Sequence, residues 1–379
     1  VFTYVALDKY LKLGGKFAFL LKQTLYKSIA GKEFRKFYID KVTGKVPLRV
    51  QRVHDLVDIH PFQPIQSETS LIIMEKGKQT TYPVPYLVWK MKDNKSPSEV
   101  SSDYSLPKVL KLVNVTEYEA YPDPSLRDDT APWIVVPKGA ELPIPTTIIS
   151  NPYDVRHGIV DDLDQVFQVE ILEKTSVGLL RIKNAISGKR DVKQVIWEIE
   201  PDLIYPLIKP RNIKRWKVVG YDYVILPQRT YGENNEAELK NKYPRTYTYL
   251  SMFRRELLQR TSRWFKNRPF YTVFGLGEYT FKPYKVVWSA IGYPPEFAVS
   301  SIVEDVFLGK KVLIPDNTIG SIPVDSEDET HFLCALLNSS YIKSVIAHKS
   351  TKSKWGLSIE LVKQLPLPRF DPRDDQHEI

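Results

Sequence analysis

Cysteine is nearly missing from these 379 residues. The one present, Cys334, excludes an internal disulfide framework and suits a reducing cytoplasm, which is the location expected. Nor can one cysteine build a zinc cluster. The six histidines are scattered, with no His-x-His and no His-Glu-x-x-His, so the common spacings of zinc sites are absent too. There is no Gly-x-Ser-x-Gly elbow and no Walker loop. No apolar run approaches the roughly 20 residues of a membrane span, so no membrane partner is expected. The opening Val1-Phe2-Thr3-Tyr4 has no initiator Met and no signal-peptide stretch, and reads as cut from something longer.

What is present has an ordinary globular composition, 42% hydrophobic and 26% charged, long enough for two or three domains. The net charge of +9 is modest, but it is regional. Between Lys209 and Lys285 there are 17 Lys/Arg against 6 Asp/Glu, a local balance of +11 that leaves −2 for the rest. A surface that neutralises phosphates has this signature, and so does a solvated face in a Lys-rich protein.

Along the chain, Phe2, Ala6, Tyr10 and Leu13 recur at helical spacing before Gly14-Gly15, a plausible helix stop. Lys16 to Leu21 fits a buried strand. A helix is predicted from Ser28 to Ile39 with Phe34 and Phe37 inward, then strands from Val50 to Ile59 and Thr69 to Glu75. From Tyr82 to about Ser150 prolines are frequent and spacing irregular, which predicts a linker or insertion over 86–150. Mixed α/β sequence follows. Strands are predicted at Val166–Leu172, Gly178–Ile182, Val195–Ile199 and Tyr284–Trp288, and helices at Tyr247–Trp264 and Glu329–Ala347.

Several segments carry a resemblance. Leu13-Gly14-Gly15 followed by Lys16 to Leu21, the helix predicted after Ser28, and the segments Asp58–Gln63 and Thr69–Met74 form one set. Leu207 to Trp216, Tyr279 to Trp288, Leu336 to Ser340 and Leu365 to Pro372 form another. In this order they resemble the C-terminal portion of N6-adenine-specific DNA methyltransferases, the gamma-type amino methyltransferases of restriction–modification systems. The resemblance implies an α/β chain. Residues 1–85 would be the trailing half of a Rossmann-like class I methyltransferase sheet, with Asp58–Gln63 and Thr69–Met74 as its closing hairpin. Residues 151–379 would be a mixed α/β target-recognition domain. It also implies double-stranded DNA as partner, a nuclease domain or subunit as a further one in some relatives, and S-adenosylmethionine as cofactor of the intact protein.

The departures are as informative. Adenine methylation needs a glycine-containing strand–helix turn for S-adenosylmethionine and an Asn/Asp-Pro-Pro-Tyr/Phe tetrapeptide that accepts hydrogen bonds from the target amine. Neither is in this sequence, so no cofactor-binding or catalytic residue is expected in the chain itself. Asn151-Pro152-Tyr153 lacks the second proline and reads as a turn, and Gly275-Leu276-Gly277 lacks a third glycine. Asp161-Asp162 and Asp374-Asp375 read as exposed acidic turns. Two other classes stay open: a non-catalytic DNA specificity module partnering a separate methyltransferase, and a carbohydrate- or protein-binding module, given 22 tyrosines and 7 tryptophans.

The candidate residues follow. Phe62, by resemblance, would stack on an adenine swung out of the duplex, since unstacking costs a few kcal/mol that aromatic contact restores; packing into a hairpin core is the competing reading. Arg211, Lys214 and Arg215 form a dense basic cluster suited to phosphate or guanine contact, with Trp216 expected in the core. Lys352 and Lys354 form a second basic site. On the predicted 247–264 helix, Leu250, Phe253, Leu257 and Trp264 share a face. Arg255, Gln259 and Arg263 point away, with Arg254 and Arg260 flanking, so Arg255 and Arg263 would line a DNA cleft or simply be solvated. Arg156 and Gly158 resemble the lead-in to the recognition domain.

Overall fold

The computed structural model describes residues 2–42, 44–62, 68–101, 103–141, 151–185, 192–292, 294–349 and 357–374. The chain is mixed α/β, and it divides into two compact units, residues 1–148 with 344–353 and residues 149–343 with 354–379. Among the described residues no helix is long and apolar enough to cross a membrane.

The first unit is built on β1 (Lys16–Lys22), β2 (Tyr38–Lys41), β3 (Gly44–Asp55), β4 (Thr69–Lys76), β5 (Val84–Met91), β6 (Val113–Pro122) and β7 (Trp133–Pro137). The order is β1-β4-β3-β5-β6-β7, with β2 paired to β3. β4 runs antiparallel to both β1 and β3, and β3 is parallel to β5, so β1, β3 and β5 share one direction. The core is aromatic. Trp133 stacks on Tyr26 at 5.2 Å between centroids, with Phe34, Phe37 and Tyr82 around them. A pair of this kind adds about 0.5–1.5 kcal/mol beyond its burial.

Several local expectations change here. The opening helix stops at Lys9 and buries Thr3 and Leu7, while Phe2, Tyr10 and Leu13 are exposed. Its end is held by Lys76, whose buried ammonium donates to the carbonyls of Leu7, Asp8 and Leu11 at 2.6, 3.1 and 2.6 Å. β1 lies at the sheet edge with Phe19 and Leu20 exposed, rather than buried. The helix expected from Ser28 is two short 3-10 turns, Ile29–Gly31 and Phe34–Lys36. Buried Arg35 takes the carbonyls of Leu25 and Ser28, and a Cβ on Gly31 would lie 2.2 Å from the Leu25 oxygen. Phe34 and Phe37 are nevertheless buried. Asp58–Gln63 is no strand over its described part: Val57–Ile59 is a 3-10 turn, and β4 forms its hairpin with β3.

The linker expected at 86–150 is, over its described part, most of β5 and all of β6 and β7, with Tyr86, Ala120 and Trp133 fully buried. Among the described prolines, Pro122 and Pro137 end β6 and β7 and Pro85 is the exposed second residue of β5, while Pro97, Pro107 and Pro124 sit in the first turn of short helical segments, where a missing N–H costs little. The first unit therefore extends well past residue 85.

The second unit contains β8 (Arg156–His157), β9 (Gln168–Lys174), β10 (Leu180–Asn184), β11 (Ile196–Ile199), β12 (Ile204–Ile208), β13 (Ile213–Lys214), β14 (Trp216–Val218), β15 (Asp222–Ile225), β16 (Tyr284–Ser289), β17 (Phe297–Ser300), β18 (Ile302–Asp305), β19 (Gly309–Val312), β20 (Ile314–Pro315) and β21 (Ile319–Val324). One sheet runs β11-β10-β9-β15-β12-β20, another β13-β14-β17-β16-β21-β8, and β18 pairs with β19. Along β9, Val169 and Ile171 turn into the core while Gln168 and Glu170 turn out, the alternation of a strand with one solvated face. Helices Pro244–Met252 and Arg254–Leu258 bury Tyr249, Leu250, Phe253 and Leu257 in the same core.

Candidate nucleic-acid interface

The basic cluster after Pro210 is a hairpin. Pro210 opens a 3-10 turn, Pro210–Asn212, and buried Asn212 ties the hairpin's two ends together. Its side chain accepts from the Lys209 N–H at 2.9 Å and donates to the Val219 carbonyl at 3.0 Å. β13 and β14 then pair so that Lys214 faces Lys217 directly, with Arg215 and Trp216 at the turn. Like charges in that position destabilise a strand pair. Among the described residues, Lys214, Arg215 and Lys217 have no acidic partner, and all three are exposed.

Trp216 does not pack in the core as its size suggested. It is 47% exposed at φ 81°, a left-handed conformation unusual for a bulky residue, and the Arg215 guanidinium lies over its ring at 4.8 Å. It opens β14 and pairs with Ala298 of β17. Lys217 was not singled out from the sequence, although it completes the cluster.

Arg211 stands apart electrostatically. It is ion-paired with Asp222, which also binds Lys209 at 3.1 Å. Lys209 in turn donates to the Gln168 side chain at 2.6 Å, so this part of the hairpin is stitched to β9 and β15.

The helical arginines split. Leu250, Phe253 and Leu257 are buried as the helical spacing predicts, while Arg254 and Arg255 are exposed, Arg254 over the Phe270 ring at 4.4 Å. The helix breaks at Phe253 and ends at Leu258, so Arg263 is exposed beyond it and Trp264 stacks on Phe274 in a turn. Arg260 is buried, donating to the carbonyls of Leu257, Asp161, Thr272 and Phe270. It is a structural cation.

Lys352 and Lys354 lie outside the described residues. Phe62 lies in the first unit, 47% exposed, just beyond the turn that follows β3. It follows the carboxyl end of β3, a strand that shares its direction with β1, β5 and β7. Gly158 is pressed against β20, where a Cβ would lie 2.1 Å from the Asp316 oxygen, and Arg156 packs over Tyr279. Asn151-Pro152-Tyr153 is a turn: the Asn151 side chain accepts from the Tyr153 N–H and donates to Val362, and the Tyr153 hydroxyl accepts from the Phe370 N–H.

Groups with displaced titration are structural in setting. Asp161, expected on an exposed turn, is fully buried, and burial followed by the nearby Asp164 pushes its carboxyl well above the usual range. Burial alone pulls Lys285 down to about 7, its ammonium donating only to the Lys282 carbonyl. Burial pushes the Cys334 thiol up to about 11, unsuited to a nucleophile. Among the described residues no group of three or more His, Cys, Asp or Glu is placed to hold a metal ion.

No family model matches the sequence. It is 26% identical over 197 residues to the type II methyltransferase M.NspV of a Nostoc species, a match covering 45% of this chain and 40% of that protein. The chain is related to a type II methyltransferase. Among solved structures, the type IIL restriction-modification enzyme MmeI in complex with DNA superposes with a TM-score of 0.47 at 10% identity, over 99% of this chain and 41% of that one. The type IIG restriction endonuclease BpuSI gives 0.30 at 12% identity, over 96% and 41%. The chain thus spans about two fifths of the length of the methyltransferase it matches.

Proposed function

We propose that this chain serves DNA target recognition within a site-specific adenine-N6 methyltransferase of a restriction–modification or phage-defence system. The second unit is its recognition domain. The observation that carries the reading is the hairpin tip. Lys214 faces Lys217, Arg215 and an exposed Trp216 cap the turn, and among the described residues no carboxylate answers the charge. A polyanion supplies what the fold leaves out. The resemblance at Leu207–Trp216 and the relation to a type II methyltransferase support the same conclusion.

In the intact protein S-adenosylmethionine would supply the methyl group. The residues present do not fit it, because the sequence has neither the glycine turn nor the Pro-Pro tetrapeptide and Asn151-Pro152-Tyr153 is committed to a turn. No chemical step is therefore assigned to this chain. Phe62 is assigned the flipped base.

The test is duplex affinity measured against salt. Alanine at Lys214, Arg215 and Lys217 together should flatten the slope of log affinity against log salt by about 2.7, near 0.9 for each phosphate no longer neutralised. Salt-insensitive binding of the wild-type chain to a glycan, or an unchanged slope in the variant, would sink the reading. In the intact methyltransferase, Phe62→Ala should slow methylation of a paired adenine more than of a mismatched one, which is cheaper to extrude; equal rates on both would remove Phe62 from that role.

A further inference from the structure

An open cleft of about 500 Å³ lies along β9, β10 and β15, lined among others by Gln168, Glu170, Lys183, Gln194, Lys209 and Asp222. Its lining follows from register. Glu170 pairs with Lys183 across β9 and β10, so these two side chains share one face, on which Gln168 lies two residues earlier along β9. Val169 and Ile171, core residues next to them on β9, line the cleft as well, with Tyr221 and Tyr223. An ordinary solvated face would account for cross-strand ion pairs, but not for the concavity or its link to the hairpin. Lys209 and Arg211 both bind Asp222, and Lys209 also binds Gln168, so the hairpin's base forms part of the cleft wall.

We propose that this cleft reads base edges of duplex DNA, with Glu170 and Lys183 directed at a G·C pair. This rests on the DNA-recognition reading above and goes beyond it by separating specificity from affinity. The chemistry is complementary. In the major groove cytosine offers the N4 amino donor and guanine the O6 and N7 acceptors. A carboxylate and an ammonium 2.6 Å apart present one acceptor and one cationic donor in the same spacing regime. Both side chains keep part of their surface in solvent, Glu170 60% and Lys183 33%, so the pair can open onto a base pair without breaking a buried bond. The cations of the hairpin tip hold phosphate and carry no sequence information.

The experiment is competition binding at fixed salt between the preferred duplex, selected from a randomised pool with the wild-type chain, and duplexes substituted one base pair at a time. Wild type should discriminate at a G·C position by on the order of tenfold to a hundredfold. Glu170→Gln and Lys183→Met should each erase that discrimination while leaving the other positions and the salt slope intact. The Lys214/Arg215/Lys217 alanine variant should weaken all duplexes uniformly. Cleft variants with unchanged preference, or with uniform loss across every duplex, would overturn the cleft as a reading surface while leaving DNA binding in place. A wild-type chain that binds no duplex at all would overturn both. Circular dichroism melting of each variant separates misfolding from impaired reading, and the doubly swapped Glu170→Lys, Lys183→Glu chain, which restores the ion pair, should fold and still lose the G·C preference.

Discussion

Two stretches of the second unit are both basic on paper and are answered to different degrees in the folded molecule, residues 240–268 with nine Lys/Arg against one Glu and residues 214–217 with three Lys/Arg and no acid. In residues 240–268 four of the nine cations are answered. Lys240 binds Glu236, Lys242 binds Glu238, Arg245 binds Glu198, and Arg260 is consumed by four backbone carbonyls. In residues 214–217 none of it is answered by a described carboxylate, and two lysines are held face to face. Regional charge density therefore overstates the surface available to an anion. Cations without carboxylates, held where they repel each other, are the better indicator.

The comparison can be pressed at three strengths. Arg260→Ala should have the largest effect on folding, because it strips the hydrogen bonds from several buried carbonyls at once; a loss of about 3 kcal/mol or more is expected from denaturant titration. Duplex affinity per folded molecule should not move. If Arg260→Ala instead left stability intact and flattened the salt slope, the division between structural and free cations would be wrong.

Lys285 provides a pH-dependent contrast. Its folded value lies near 7, whereas an unfolded lysine titrates at about 10.4. Between those values the folded state binds fewer protons than the unfolded one, so this group's contribution to stability rises with pH across that window. Below about 7 both states are charged and the full cost of burying the ammonium is felt. Lys285→Met should accordingly melt above wild type at pH 7, and the gap should close as pH approaches 10. A gap that stayed constant would place the ammonium in contact with water. The smallest effect on stability belongs to the alanine triple at Lys214, Arg215 and Lys217, which should melt within a degree or two of wild type, since exposed substitutions away from caps and cores change little.

Much of the second unit was readable in sequence. β9, β10, β11 and β16 fall where apolar alternation places them, and Leu250, Phe253 and Leu257 share a buried face as helical spacing requires. The failures have particular causes. Phe2, Tyr10 and Leu13 have helical spacing but belong to the exposed side, because periodicity does not say which face meets the core. Residues 86–141 hid two strands and most of a third among prolines that sit at strand ends and in the first turns of short helical segments. Trp216 was assigned inward by size, yet a tight hairpin turn overrides size. The polar cleft left only the signal of alternating charge in β9 and β10, which any solvated strand shares.

By itself the amino-acid order determined the class of the chain, the run of positive charge and the order of the segments that resemble a methyltransferase, since these depend only on neighbours along the backbone. Apart from the local i,i+4 pairs Lys240–Glu236 and Lys242–Glu238, which cations remain unanswered was decided by the tertiary structure. Asp222, Glu198 and the Asp161 carbonyl reach Arg211, Arg245 and Arg260 across 11, 47 and 99 positions of chain, separations that only strand register and packing close.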